Sequence, residues 1–253
     1  MNTRNLLAAI ALAFVLAGCA AAPRHASVDD RHNALLAGSS WETNRAVMEA
    51  GERTGNLQIA LSAGESELKD RPDNDEARVM LSRIETRVGR PEQAFYNLSQ
   101  LSPRHRETPQ AELEYARACI ATSRFKEAQE SLEKVSSREP DIVWEKKRLS
   151  AVTEDLSGEH ALAQQHYRDL LAEREDEAVR YNLGRSYIST RDYRLAAAAL
   201  LPLTENPRYP MARVLAAGSF AKIGDKTAAK NLLEGYLSDY EIESLLSGRK
   251  GVK

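Results

Sequence analysis

The residues of this 253-residue chain best able to form or break a covalent bond are two thiols, Cys19 and Cys119. Cys19 closes the run Leu16-Ala17-Gly18-Cys19, behind Arg4 and the apolar stretch Leu6 to Val15. A positive start, a short apolar run and small residues, in that order, make a cleavable export signal. The run is too short to span a bilayer, which takes ~20 apolar residues. Cys119 shares a helical apolar face with Tyr115, Ala116 and Ile120, the setting of a buried small hydrophobe rather than a reactive thiol. If Cys19 is modified, Cys119 has no partner for an intramolecular disulfide. Other chemistry is sparse. His160 and His166 are not one helical turn apart, so Glu159-His160 is no metalloprotease motif, and both read as solvated or packing histidines. Gly248-Arg249-Lys250-Gly251 lacks the glycine spacing and following Ser/Thr of a phosphate-cradling loop, and no G-x-S-x-G is present. The acids Glu173, Glu175, Asp176 and Glu177 suit a solvated loop and a helix N-terminus, where negative charge is favoured. These residues point away from an enzyme, and they imply no metal and no cofactor.

The four residues ending at Cys19 resemble a bacterial lipobox. The resemblance implies a diacylglyceryl group on the Cys19 thiol, cleavage that removes residues 1–18, and acylation of the freed amine. Several acyl chains anchor stably where one does not, because each buried CH₂ contributes ~0.8 kcal/mol. In such lipoproteins an Asp after the cysteine favours inner-membrane retention. Ala20 stands there, so the resemblance implies the periplasmic face of the outer membrane.

Composition narrows the rest. Removing residues 1–18 takes away one of the 35 basic residues and none of the 37 acids. A balance that close to neutral gives no reason to expect a nucleic-acid partner. Charged residues make up 28% of the chain and aromatics 6%, the balance of a water-exposed helical protein with a thin core. Ala20 to Ser40, with Pro23, Asp29, Asp30 and Ser39, reads as a flexible linker, with room for a short helix at 29–36. As a coil it spans roughly 25 Å, enough to hold a folded domain clear of lipid headgroups.

From Trp41 the sequence repeats itself. Ala60, Ala94, Ala128, Ala163, Ala196 and Ala229 follow one another at steps of 34, 34, 35, 33 and 33 residues. Five residues before each stand Gly55, Gly89, Ser123, Gly158, Arg191 and Gly224, and twelve before stand Met48, Ser82, Ala116, Ala151, Gly184 and Ala217. Twelve after, Pro72 and Pro140 close two repeats, and Pro207 falls one short in another. Each unit reads as helix, glycine-containing turn, helix, loop. Small residues facing each other on the two helices let their backbones pack closely, and glycine supplies the positive φ of the turn. No helix pair buries its apolar face alone, so the units must stack. Alternating strand patterns are nearly absent.

This period and pattern resemble the tetratricopeptide repeat, most fully in the fifth unit (Leu183, Gly184, Tyr187, Tyr193, Ala196, Leu200, Leu203) and next in the third (Ala116, Phe125, Ala128, Leu132, Val135, Pro140). Sel1-like and HEAT-type hairpins have longer periods. The fold expected is therefore all-α, a right-handed α-solenoid of about six tetratricopeptide-type helix-turn-helix repeats over 41–245, with a basic tail at 246–253. The family's Trp at the fourth position of the unit is missing throughout, and Gly64 and Glu67 stand where the first unit should be apolar. In repeats of this type the first helices line the concave surface. With units starting at Trp41, Asp75, Pro109, Trp144, Glu177 and Pro210, that places Arg83, Arg87, Arg117, Arg148, Tyr181 and Arg185 in the groove, with an apolar end at Met211, Val214 and Ala221. Spaced arginines among apolar residues suit a protein segment carrying acidic and apolar side chains.

A lipobox followed by six such units resembles the TadD lipoproteins of Flp (tight-adherence) pilus assembly. The likeness is most specific over Tyr181-Asn182-Leu183-Gly184, Leu200-Leu201-Pro202-Leu203 and Met211-Ala212-Arg213 leading to Gly224-Asp225. It implies a non-enzymatic assembly factor, held to the membrane by its acyl chains, whose partner is an outer-membrane secretin. A type IV pilus pilotin, the repeat lipoprotein of the outer-membrane-protein insertion machine, an adaptor for periplasmic peptidoglycan enzymes and a hydrolase on a helical scaffold are the alternatives.

Overall fold

The computed structural model describes residues 40–247. Cys19, the signal at 1–18, all but the last residue of the 19–40 linker, the helix suggested at 29–36 and the tail from 248 lie outside the described residues. The chain divides into two units, one ending at Pro72 and the other starting at Asp73.

The first unit holds one described hairpin, α1 (Trp41–Thr54) and α2 (Leu57–Asp70). Ser40 caps α1 by accepting from the Thr43 amide at 3.3 Å, and Gly55 turns the chain at φ 79°. Met48 and Ala60 are both fully buried where the helices cross. Glu67, out of place in the sequence pattern, is also fully buried. It accepts from Asn44 Nδ2 at 2.8 Å and from Arg71 Nε at 2.6 Å, which compensates its charge.

The second unit is a stack of five hairpins: α3 (Asp75–Arg87) with α4 (Pro91–Ser99), α6 (Pro109–Ala121) with α7 (Phe125–Lys134), α8 (Pro140–Ser157) with α9 (His160–Glu173), α10 (Glu177–Ser189) with α11 (Tyr193–Leu200), and α12 (Met211–Lys222) with α13 (Lys226–Leu233). A single turn, α5 (Pro103–Arg106), precedes the second hairpin, and α14 (Asp239–Ser247) follows the last. Asn74, Thr108 and Asp176 cap α3, α6 and α10 through their side chains. Pro140 opens α8 at its first turn instead of closing the preceding repeat, so α8 starts four residues before Trp144. Among the described residues no strand forms, and no helix is long and apolar enough to cross a membrane. This is the tetratricopeptide-type all-α solenoid that the period predicts.

The six aligned alanines are all fully buried, and so are Met48, Ala116, Ala151 and Ala217 opposite them. The core of the second unit is accordingly a chain of small clusters, most shared by neighbouring hairpins and the last joining α12 and α13 to α14. One joins Leu132 and Val135 to Ile142 and Leu149, and the next joins Ala151 and Tyr167 to Leu183 and Tyr187. From α6 on, each first helix packs on its own partner and on the second helix before it.

All six aligned turn residues have positive φ, including the two that are not glycine, Ser123 at 60° and Arg191 at 65°. A side chain there costs ~1–2 kcal/mol in backbone strain. Ser123→Gly and Arg191→Gly should each raise stability by about 0.5–1 kcal/mol, because glycine's greater freedom in the unfolded chain offsets part of the relief. Urea midpoints of the two variants against the parent check this.

The fourth positions, where the sequence lacks the family's Trp, form a polar series in which most members have an ionic or amide partner. Asn44 meets Glu67, and Arg78 lies 4.0 Å from Asp75. Lys147 meets Glu173 at 2.5 Å, and Arg180 meets Glu175 at 2.6 Å. Arg213 pairs with Glu205, donates to the Leu232 carbonyl at 2.9 Å and lies 3.6 Å over the Tyr236 ring, closing the last hairpin. Glu112 differs: its partner is the Ser131 hydroxyl. The acids at 173–177 thus do local work, since Asp176 is also the α10 cap.

Candidate functional site

The first helices α3, α6, α8, α10 and α12 lie side by side in chain order and form one face of the second unit. The six residues named from the sequence lie on α3, α6, α8 and α10, in different states. Arg83 is half-buried and Arg87 exposed, both on α3. Arg117 on α6 and Arg148 on α8 converge on one carboxylate, Glu145. Arg117 Nη2 lies 2.5 Å from Glu145 Oε1, and Arg148 donates through Nη2 to Oε1 at 2.5 Å and through Nε to Oε2 at 2.8 Å. Arg117 Nε is also 3.2 Å from Glu114 Oε2. The centre of the basic stripe is therefore neutralised from within, and it joins two successive hairpins. Burial works against the Arg148 charge, but hydrogen bonding and attraction from Glu145, with Asp176 behind it, outweigh burial and hold the guanidinium protonated beyond its usual range.

Towards α10 the face changes character. Tyr181 is half-buried and packs on Tyr209 with ring centroids 5.0 Å apart and planes at 33°. Burial, and then the charges of Asp176 and Glu177, push the Tyr209 phenol up, so it stays a neutral hydrogen-bonding group. Arg148 is within electrostatic reach of this phenol, and both Arg148 and Arg185 are within reach of the buried Tyr167. Arg185 itself is exposed on α10, and Met211, at the start of α12, is 51% exposed. The face thus offers exposed cations at Arg87 and Arg185 flanking a closed ionic centre, with an aromatic and apolar end. Such a surface can hold an extended or helical protein segment by a few charge-assisted hydrogen bonds and apolar anchors.

Two residues of this face escaped the sequence reading. Glu145 occupies the second position of its unit and so was within reach of the register. Tyr209 sits in the loop before α12, between Pro207-Arg208 and Pro210, where only the flanking prolines hint at a fixed side chain.

The other chemical groups are wired for structure. Asp155 Oδ1 accepts from Ser186 Oγ at 2.6 Å and lies 2.7 Å from His160 Nδ1. A nucleophile relay needs the imidazole between hydroxyl and carboxylate. Here the carboxylate stands between them, and Ser186 is fully buried. His166 Nδ1 lies 2.7 Å from Glu154, and no group of three metal-ligating side chains is gathered among the described residues. Cys119 is fully buried in the α6–α7 core, its thiol pushed up to about 12 by burial and then by Glu127, so it is not a thiolate at neutral pH.

No family model matches the chain, and no curated protein matches it. Solved structures do. One is that of Pseudomonas aeruginosa PilF, from a functional characterization of that protein. It is similar to this chain with a TM-score of 0.59 at 14% identity, over 88% of this chain and all of the other. A likeness at that identity concerns the fold, and it extends over both units.

Proposed function

We propose that this protein is an outer-membrane lipoprotein, anchored through acyl chains on Cys19, whose first-helix face captures a segment of a pilus or secretion secretin and assists its localisation or ring assembly. The observation that carries the reading is the pairing of the lipobox-like Leu16-Ala17-Gly18-Cys19 with a repeat scaffold similar in fold to PilF. Acylation delivers the scaffold to the membrane, and the linker gives it reach. The exposed cations at Arg87 and Arg185, with Tyr181, Tyr209 and Met211, suit a segment bearing acids among apolar residues. Covering such a segment hides apolar surface until the ring closes.

The test is affinity purification of the C-terminally tagged full chain from detergent-solubilised outer membranes, with co-purifying proteins identified by mass spectrometry. A secretin is expected, and it should be lost when Arg87 and Arg185 are both reversed to glutamate while circular dichroism stays unchanged. Cys19→Ser should leave the chain in the soluble fraction. Recovery of barrel-insertion components or peptidoglycan enzymes instead would overturn the reading, as would a secretin retained by the double reversal for the assigned face.

A further inference from the structure

Four glutamates are buried among the described residues, Glu67, Glu85, Glu112 and Glu114, and Glu114 pairs with Arg117. Glu67 has Arg71 and Asn44. Glu85 receives Asn97 Nδ2, 2.9 Å from each carboxylate oxygen. Glu112, 8% exposed, has only Ser131, whose single hydroxyl proton is shared between the Glu112 carboxylate and the Glu112 backbone carbonyl 2.9 Å away. No cation lies within ion-pair distance of it among the described residues. A buried carboxylate whose one donor is a shared hydroxyl, with no cation beside it, is costly, even though that hydroxyl ties α7 to α6.

Glu112 is not sealed in. It lines a cleft of about 290 Å³ that opens between the end of α4 and α7, away from the first-helix face. That is the low end of ligand-site volumes (~300–1,000 Å³), too small for a cofactor and adequate for one long side chain. Leu98, Leu101 and Ala111 supply apolar wall. Glu127 and Glu130 stand in the lining, with the Tyr115 hydroxyl donating to Glu127 at 3.4 Å. Of the two cations that also line it, Arg106 is spent on the carbonyls of Ser99 and Leu101 at 2.8 and 3.2 Å, and Lys134 is exposed.

We propose that this cleft is a second binding site, which takes a lysine or arginine side chain from a partner protein, its charged head on Glu112 and its methylene stem along Leu98 and Leu101. The complementarity is specific. The cleft holds three carboxylates, the innermost lacks a counter-ion, and an aliphatic stem with a cationic tip matches an apolar wall ending in an acid. The site lies on the opposite layer of the hairpins from the proposed secretin groove, so both can be filled together. It does not depend on which partner the groove holds.

The test is an amide-resolved NMR titration of the full deuterated chain in zwitterionic detergent. The probes are N-acetyl-lysine methylamide and N-acetyl-arginine methylamide, with the norleucine analogue as the neutral control. Saturable shifts confined to residues 98–101, 111–115 and 127–134 are expected for the two cations and not for norleucine. Glu112→Gln, which keeps the shape and removes the charge, should weaken binding at least tenfold and leave the thermal midpoint equal or higher, since no counter-ion is lost. Lys134→Gln, at the exposed rim and independent of the buried packing, should tighten binding severalfold. Equal shifts from all three probes, no saturable shifts, binding retained in Glu112→Gln, a lowered midpoint in that variant, or no tightening in Lys134→Gln would each overturn the proposal.

Discussion

Replacing Ala196 with leucine is expected to lower the unfolding free energy by about 1–3 kcal/mol, with the whole chain still helical. Ala196 is fully buried on α11 against α10, and Gly184 on that facing helix has no room either. A Cβ built on Gly184 would stand 2.5 Å from Leu200 Cγ and 2.7 Å from its Cδ2, and Leu200 is itself fully buried. The added atoms of leucine therefore force the helices apart at a crossing which the fifth unit shares with its neighbours. Gly184→Ala should cost stability by the same route, on a smaller insertion. Ala198, two residues on and exposed, gives the control: Ala198→Leu should change stability by no more than about 0.5 kcal/mol. Urea denaturation followed by circular dichroism separates the three variants. Equal midpoints for Ala196→Leu and Ala198→Leu would contradict the register of the whole repeat, because the six alanines were aligned on one assumption.

That register was legible because it rests on sterics that leave a mark at fixed spacing. A close helix crossing favours Ala, Gly or Ser, with Met48 the exception on its first helix, and a tight turn wants positive φ. Both leave the same residue types every 33 to 35 positions, so even Ser123 and Arg191 could be placed in turns from the company they keep. Helix starts were less legible. Trp144 carries the aromatic character of a unit start, yet α8 begins at Pro140, because proline is pre-set for a first turn and nothing upstream stops the helix from extending back to it. The site was half legible. The period says which residues fall on the first helices, and Arg83, Arg87, Arg117, Arg148, Tyr181 and Arg185 do. It does not say which of them are already occupied. Glu145 meets Arg117 through a contact between different helices, and Tyr209 reaches Tyr181 from a loop. Such pairings depend on side-chain reach across hairpins, which a one-dimensional period does not encode. Glu112 shows the same limit: the sequence marks a missing Trp, and only the packing reveals a carboxylate at the floor of a cleft.

The ionic centre of the first-helix face yields the other large effect. Glu145→Ala should cost about 3 kcal/mol, near the lower end for breaking a buried ion pair. Side-chain exposures of 17% for Glu145, 18% for Arg148 and 28% for Arg117 leave the three groups mostly out of water. Removing the one acid leaves two guanidinium groups from successive hairpins facing each other, with Glu114 beside Arg117 and only the more distant charge of Asp176 acting on Arg148. Arg148→Ala should cost less, because Glu145 keeps Arg117, and a double-mutant cycle between positions 145 and 148 should show strong coupling. The exposed pair Lys126–Glu130, 4.0 Å apart on one helix, sets the scale for an ion pair in water, and breaking it should be nearly neutral. The comparison decides what the groove has to offer a partner. If Glu145→Ala costs several times the exposed pair, Arg117 and Arg148 serve as a staple between hairpins, and the acidic segment proposed above would be held by other groups of the face, Arg185 and the tyrosines among them. If it costs no more than Lys126–Glu130, the staple is loose, and a partner carboxylate could displace Glu145 and take both arginines for itself.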